Sequence, residues 1–78
     1  VLSIEHCYDQ LRAIETMIIR ARQFSEPVDP GLLEQIDLLS DEARELWVPT
    51  GNRSAYYDLR AAIMIVRADL LAALGRKT

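Results

Sequence analysis

The stretch YYDLRAAIMIVRADLLAAL, from Tyr56 to Leu74, places apolar side chains on two sides of a helix at once. Successive helical residues turn about 100° around the axis, so Ile63, Met64, Ile65 and Val66 point in four directions, all of them apolar. Resolved by angle, Tyr56, Leu59, Ile63, Val66, Leu70 and Ala73 form one stripe. Tyr57, Ala61, Met64, Ala68 and Leu71 form a second, widened by Ile65 and Ala72. Arg53, Arg60 and Arg67 separate the stripes along one edge, and Asp58 and Asp69 along the other. A helix at the edge of a small bundle needs one apolar stripe. The second stripe predicts a further contact, and its alanines would let another helix approach closely.

Two more helices precede this one. The first is predicted over about residues 4–24, with Ser3 as N-cap and Ile4, Cys7, Leu11, Ile14, Ile18 and Ala21 along its seam. Ala13, Met17 and Phe24 make a thinner second line about 100° away. Pro27 and Pro30 break the chain, because each lacks a backbone N–H and pushes the residue before it out of the helical region. Asp29-Pro30 then reads as an N-cap followed by proline at the first helical position. The second helix is predicted over about residues 30–47, with Leu32, Ile36, Leu39, Ala43 and Leu46 facing inward and Leu33 and Trp47 at the margin. Its acids Glu34, Asp37, Asp41 and Glu45 face out. Pro49, Gly51 and Asn52 mark the next turn, from which Thr50 or Asn52 caps a third helix over about residues 53–74, with Gly75 to end it. The expected fold is all-α, an antiparallel three-helix bundle with the third helix central, dimerising into a larger helical bundle.

Length sharpens that expectation. Seventy-eight residues make one domain, residues 1–78, and a chain this short buries only roughly 60% of the surface its unfolded form exposes. Disulfides, a metal or oligomerisation usually supply what is missing. A single cysteine, Cys7, excludes an intrachain disulfide, and one histidine beside it cannot complete a four-ligand zinc site. Oligomerisation remains. With short connections the first and third helices run parallel, so their surplus apolar residues are expected to form one shared patch that a second copy covers.

Charge then narrows the partners. The formal net charge is −3, the reverse of the basic balance a general nucleic-acid binder needs to neutralise phosphates. Acids dominate the second helix and arginines the third, which reads as a self-complementary pair. No apolar run reaches the ~18 residues of a membrane span. The lone thiol in a core position favours a reducing, cytoplasmic compartment.

Candidate chemistry adds little. Adjacent helical residues point about 100° apart, so His6 and Cys7 do not face one another as base and nucleophile. The carboxylates fall on outward faces and no Glu-x-x-His pair occurs, so a helical di-metal centre is not expected. Asn52-Arg53-Ser54 matches a glycosylation pattern, but this Asn stands where a cap is wanted. No cofactor is expected. The reading is a non-enzymatic protein–protein interaction module, a small regulator, adaptor or assembly factor, acting as a homodimer or with another protein. Its expected interface is Ala13, Met17 and Phe24 with Tyr57, Ala61, Met64, Ile65, Ala68, Leu71 and Ala72. Two alternatives stand beside it. One is a small DNA-binding regulator using the turn and helix start at residues 49–57. The other is a small all-α enzyme that holds an anionic ligand through Arg60 and Arg67, with Arg53 on the same line.

Overall fold

Each helix starts where a side chain satisfies an otherwise unpaired backbone N–H. In a computed structural model, which describes residues 3–49 and 51–75, Ser3 Oγ accepts from His6 N at 3.1 Å and opens α1, Ile4–Gln23. Asp29 Oδ1 accepts from Gly31 N at 2.9 Å just before α2, Gly31–Arg44. Pro30 already has helical dihedrals, so Asp29 caps and proline leads, as Asp-Pro predicts. Asn52 Oδ1 accepts from Ala55 N at 3.1 Å and opens α3, Arg53–Ala73. Thr50, the other candidate cap, lies outside the described residues.

The helix ends depart more from expectation. α1 closes through Glu26 N to Ala21 O at 2.8 Å and Ser25 N to Arg22 O at 3.3 Å, the paired bonds of a Schellman motif. Ser25 occupies the left-handed position there, at φ 53°, which usually falls to glycine. α2 stops at Arg44, three residues short of the predicted end. Beyond it Glu45, Leu46 and Trp47 each bond back three residues, to Glu42, Ala43 and Arg44. That tighter winding returns Leu46 to the core and carries Trp47 toward α3.

The three helices pack against one another around one apolar cluster, and no strand occurs among the described residues. α1 contributes Cys7, Leu11, Ile14 and Ile18; α2 contributes Leu32, Ile36, Leu39, Ala43 and Leu46; α3 contributes Leu59, Ile63, Val66 and Leu70. Ile4, Tyr8, Leu33 and Ala73 pack at its edges. Among the described residues no polar or charged side chain is buried in the cluster, so no side-chain desolvation cost is set against its apolar burial. No helix is long and apolar enough to cross a membrane among the described residues.

Polar ties fix the helices to each other. Arg67 Nε donates to Asp37 Oδ1 at 2.9 Å, and Arg60 Nη1 donates to the Ser40 carbonyl at 3.3 Å, both linking α3 to α2. Arg22 Nη2 donates to the Asp69 carbonyl at 3.4 Å, linking α1 to α3. The acidic and basic helices pair within the chain at the one salt bridge found among the described residues.

Candidate functional site

The outer face of α3 leaves a row of apolar side chains in solvent. Tyr57, Ala61, Met64, Ile65, Ala68 and Ala72 are all exposed, with Met64 at 68% and Ile65 at 64%. From Tyr57 to Ala72 the strip is roughly 22 Å long at 1.5 Å per residue. Large apolar side chains in such a row are uncommon on a surface that meets only water. The stripe exists because α3 alternates its apolar residues around two arcs of the helix, and the bundle has room for one arc.

Leu71 does not belong to it. The sequence pattern assigns Leu71 to the second stripe, but it is only 7% exposed. It stands one turn beyond Arg67, the residue that reaches to α2, so it shares the flank that α3 turns toward α2. The stripe therefore narrows toward its C-terminal end, where Ala72 is its last exposed member.

The expected shared patch with α1 is also corrected. Ala13 and Met17 line a groove with Gln35 and Leu38 of α2, and Phe24 lines its continuation with Val28 and Leu32. The flank of α1 that meets α3 is a different one, carrying Tyr8, Leu11, Arg12 and Glu15 beside Ala62 and Ile65. About 100° separates the two flanks of α1 from its buried seam in opposite senses, so the second line of α1 looks along α2 and away from α3. Sharing one end of a bundle does not mean sharing one face. Leu38, 63% exposed on a helix predicted to be apolar on one side only, is the residue that joins this α1–α2 groove.

An aromatic cluster caps the N-terminal end of the α3 stripe. Trp47 lies edge-on to Tyr56 at 4.9 Å and to Tyr57 at 5.6 Å, and the two tyrosines meet at 5.6 Å. The Arg53 guanidinium sits 5.5 Å from the centre of the Trp47 ring, within reach of a cation–π attraction. Tyr57 remains more than half exposed, and Val48 beside the cluster is 81% exposed. Trp, Tyr and Arg are the residues that most often carry binding energy at protein interfaces. Sequence reading placed Trp47 at a helix margin and missed this grouping. The signal was the spacing Trp47-x8-Tyr56-Tyr57 across a Pro-Gly turn, which folds one helix end onto the start of the next.

The three arginines all lean toward the α2 side. Arg53 meets the Trp47 ring, Arg60 the Ser40 carbonyl and Arg67 the Asp37 carboxylate. They form the rim between the two faces of α3, and each already has a partner within the chain. Of Arg53, Ser54, Tyr56 and Tyr57, the side chains at the start of α3 that a DNA reader would use, Arg53, Tyr56 and Tyr57 contact Trp47 or each other and Ser54 is exposed.

The remaining candidates resolve locally. Cys7 is fully buried, and burial, with Glu42 adding to it, pushes its thiol above the ordinary value of 9.0. A thiol held protonated in this way is a core side chain and a poor nucleophile. His6 is exposed and its Nε2 accepts from the Gln10 side-chain amide, one turn on, at 2.7 Å. No group of three or more His, Cys, Asp or Glu side chains is gathered as a metal would require among the described residues. Asn52 has its side-chain oxygen committed to the α3 cap. Set against protein-family models, curated proteins and solved structures, the chain shows no match to any of them.

Proposed function

We propose that the chain is a non-enzymatic protein–protein interaction module that works as a homodimer, joined through the outer face of α3. The observation that carries this is the exposed apolar strip from Tyr57 to Ala72, ending in the Trp47–Tyr56–Tyr57 cluster. Each chain in this reading is an up-down-up bundle, supported by the pairing of Asp37 with Arg67 and of Ser40 with Arg60. α3 becomes the central helix only once a second copy covers its outer face. The alanines at 61, 68 and 72 suit that role, because small residues let two helix backbones approach closely. The α1–α2 groove, with Met17, Phe24 and Leu38, is a separate surface left for another protein.

Placing a charge at Ala68 is the direct test. Ala68→Glu is expected to weaken self-association at least tenfold in sedimentation velocity, while Glu45→Lys, exposed just beyond the end of α2, leaves it unchanged. Equal effects of the two changes would place the interface elsewhere.

A further inference from the structure

Resting on the homodimer reading above, the charges that border the α3 stripe say how the two copies meet. The stripe follows a seven-residue repeat, with Ala61 and Ala68 at one seam position and Tyr57 and Met64 at the other. In that frame Arg53, Arg60 and Arg67 fall on the same shoulder of every repeat, and Asp58 falls on the opposite shoulder. Shoulder charges set the orientation of paired helices. A twofold axis running along α3 makes the two helices parallel and lays the arginine shoulder of one over the shoulder of the other that carries Asp58, Ile65 and Ala72. Arg53 then precedes Asp58 of the partner subunit by five residues, the spacing at which shoulder residues of parallel helices pair. A twofold axis running across α3 makes the helices antiparallel and lays arginine against arginine. With Ala61 of each copy opposite Met64 of the partner subunit, the antiparallel pair lays Arg60 against the partner's Arg67; Asp37 offsets the charge of Arg67, Arg60 donates only to a carbonyl, and no Arg53–Asp58 pair forms. Like charges placed opposite one another across an interface select against that arrangement.

We propose that a second copy of this chain docks its α3 in parallel against the outer face of α3, with Arg53 of each copy facing Asp58 of the partner subunit. Residues of the stripe then face their own counterparts, which an antiparallel pair allows only at its midpoint.

Disulfide trapping reads this directly. Cysteine is placed singly, as Tyr57→Cys or Ala68→Cys, in the full chain carrying Cys7→Ala, with helicity and sedimentation recorded for each variant. The two sites are about 16 Å apart along one helix, beyond the reach of a disulfide between them. Parallel pairing predicts that each variant cross-links to itself on mild oxidation and that a mixture yields no heterodisulfide. Cross-linking only in the mixture, or a dimer that cross-links in neither case, overturns the parallel pairing and leaves the homodimer standing. A folded monomer in every variant and in the unaltered chain overturns the homodimer reading itself. Charge reversal supplies an independent arm. Asp58→Arg is expected to weaken the dimer about three- to tenfold, because two exposed pairs are lost and replaced by repulsion, and adding Arg53→Asp restores it. An Asp58→Arg dimer as tight as the original contradicts the proposal.

Discussion

The two faces of α3 differ in fate more than in composition. Leu59, Ile63, Val66 and Leu70 are almost wholly removed from water, while Tyr57, Met64 and Ile65, interleaved with them in the same helix, remain more than half exposed. Both sets recur at helical spacing, and both are apolar. The buried set has two neighbours, since α1 and α2 each present a seam of their own. The outer set has no helix laid over it among the described residues, and only its margins meet the chain, Tyr57 at Trp47 and Ile65 beside α1. Periodicity therefore reports which residues need burial, and the number of helices available decides which of them obtain it.

The largest expected contrast between the faces is in stability. Ile63→Ala opens a cavity in the core, and is expected to cost ~2–5 kcal/mol in urea unfolding. Met64→Ala, measured in dilute solution where the chain is monomeric, is expected to change stability by less than ~0.5 kcal/mol. Similar losses from the two would mean that the outer face is already packed within one chain.

A change far from both faces separates folding from association. Ser25 holds the left-handed position that ends α1, and the exposed turn leaves room for glycine there. Ser25→Gly is expected to raise stability by roughly 0.5–1 kcal/mol, the balance between relief of left-handed strain and the greater freedom of glycine when unfolded. Sedimentation of this variant should match that of the original chain. If association moved with it, the two properties would not be separable in the way the faces of α3 suggest.

Smaller effects mark the border between the faces. A double-mutant cycle on Arg67→Ala and Asp37→Ala is expected to give a coupling of ~0.2–1 kcal/mol that shrinks with salt, because both side chains are about half exposed. On the core side, Cys7 adds a pH dependence. Its thiol has a folded pKa above the ordinary 9.0, so its contribution is complete below pH 9.0 and is lost as pH rises through the raised value. The stability advantage of the original chain over Cys7→Ala is thus expected to decline above pH 9, as urea midpoints across pH 8–10.5 would show.

The core was legible because its signal is redundant. Ile36, Leu39 and Ala43 sit on the same arc as Leu32 and Leu46, and no other arc of α2 offers such a run. The caps were legible for a local reason, since Ser3, Asp29 and Asn52 each bond to an amide two or three residues on. What escaped depended on how helices turn toward one another. Leu71 lies on the flank facing α2, and Met17 on the flank facing away from α3, yet both carry the same helical spacing as their neighbours. Trp47 escaped because its partners are supplied by the next helix across a turn. Among the sites, the arginine line was visible as a seven-residue repeat, but its engagement with Ser40 and Asp37 required the rotation of α2 against α3.

Sedimentation equilibrium of the unaltered chain, from about 1 to 100 μM, tests the central claim most directly. Association through the outer face of α3 predicts a reversible monomer–dimer equilibrium with the dimer dominant at the upper end, and loss of that dimer in Ala68→Glu. A folded monomer across the whole range would contradict it.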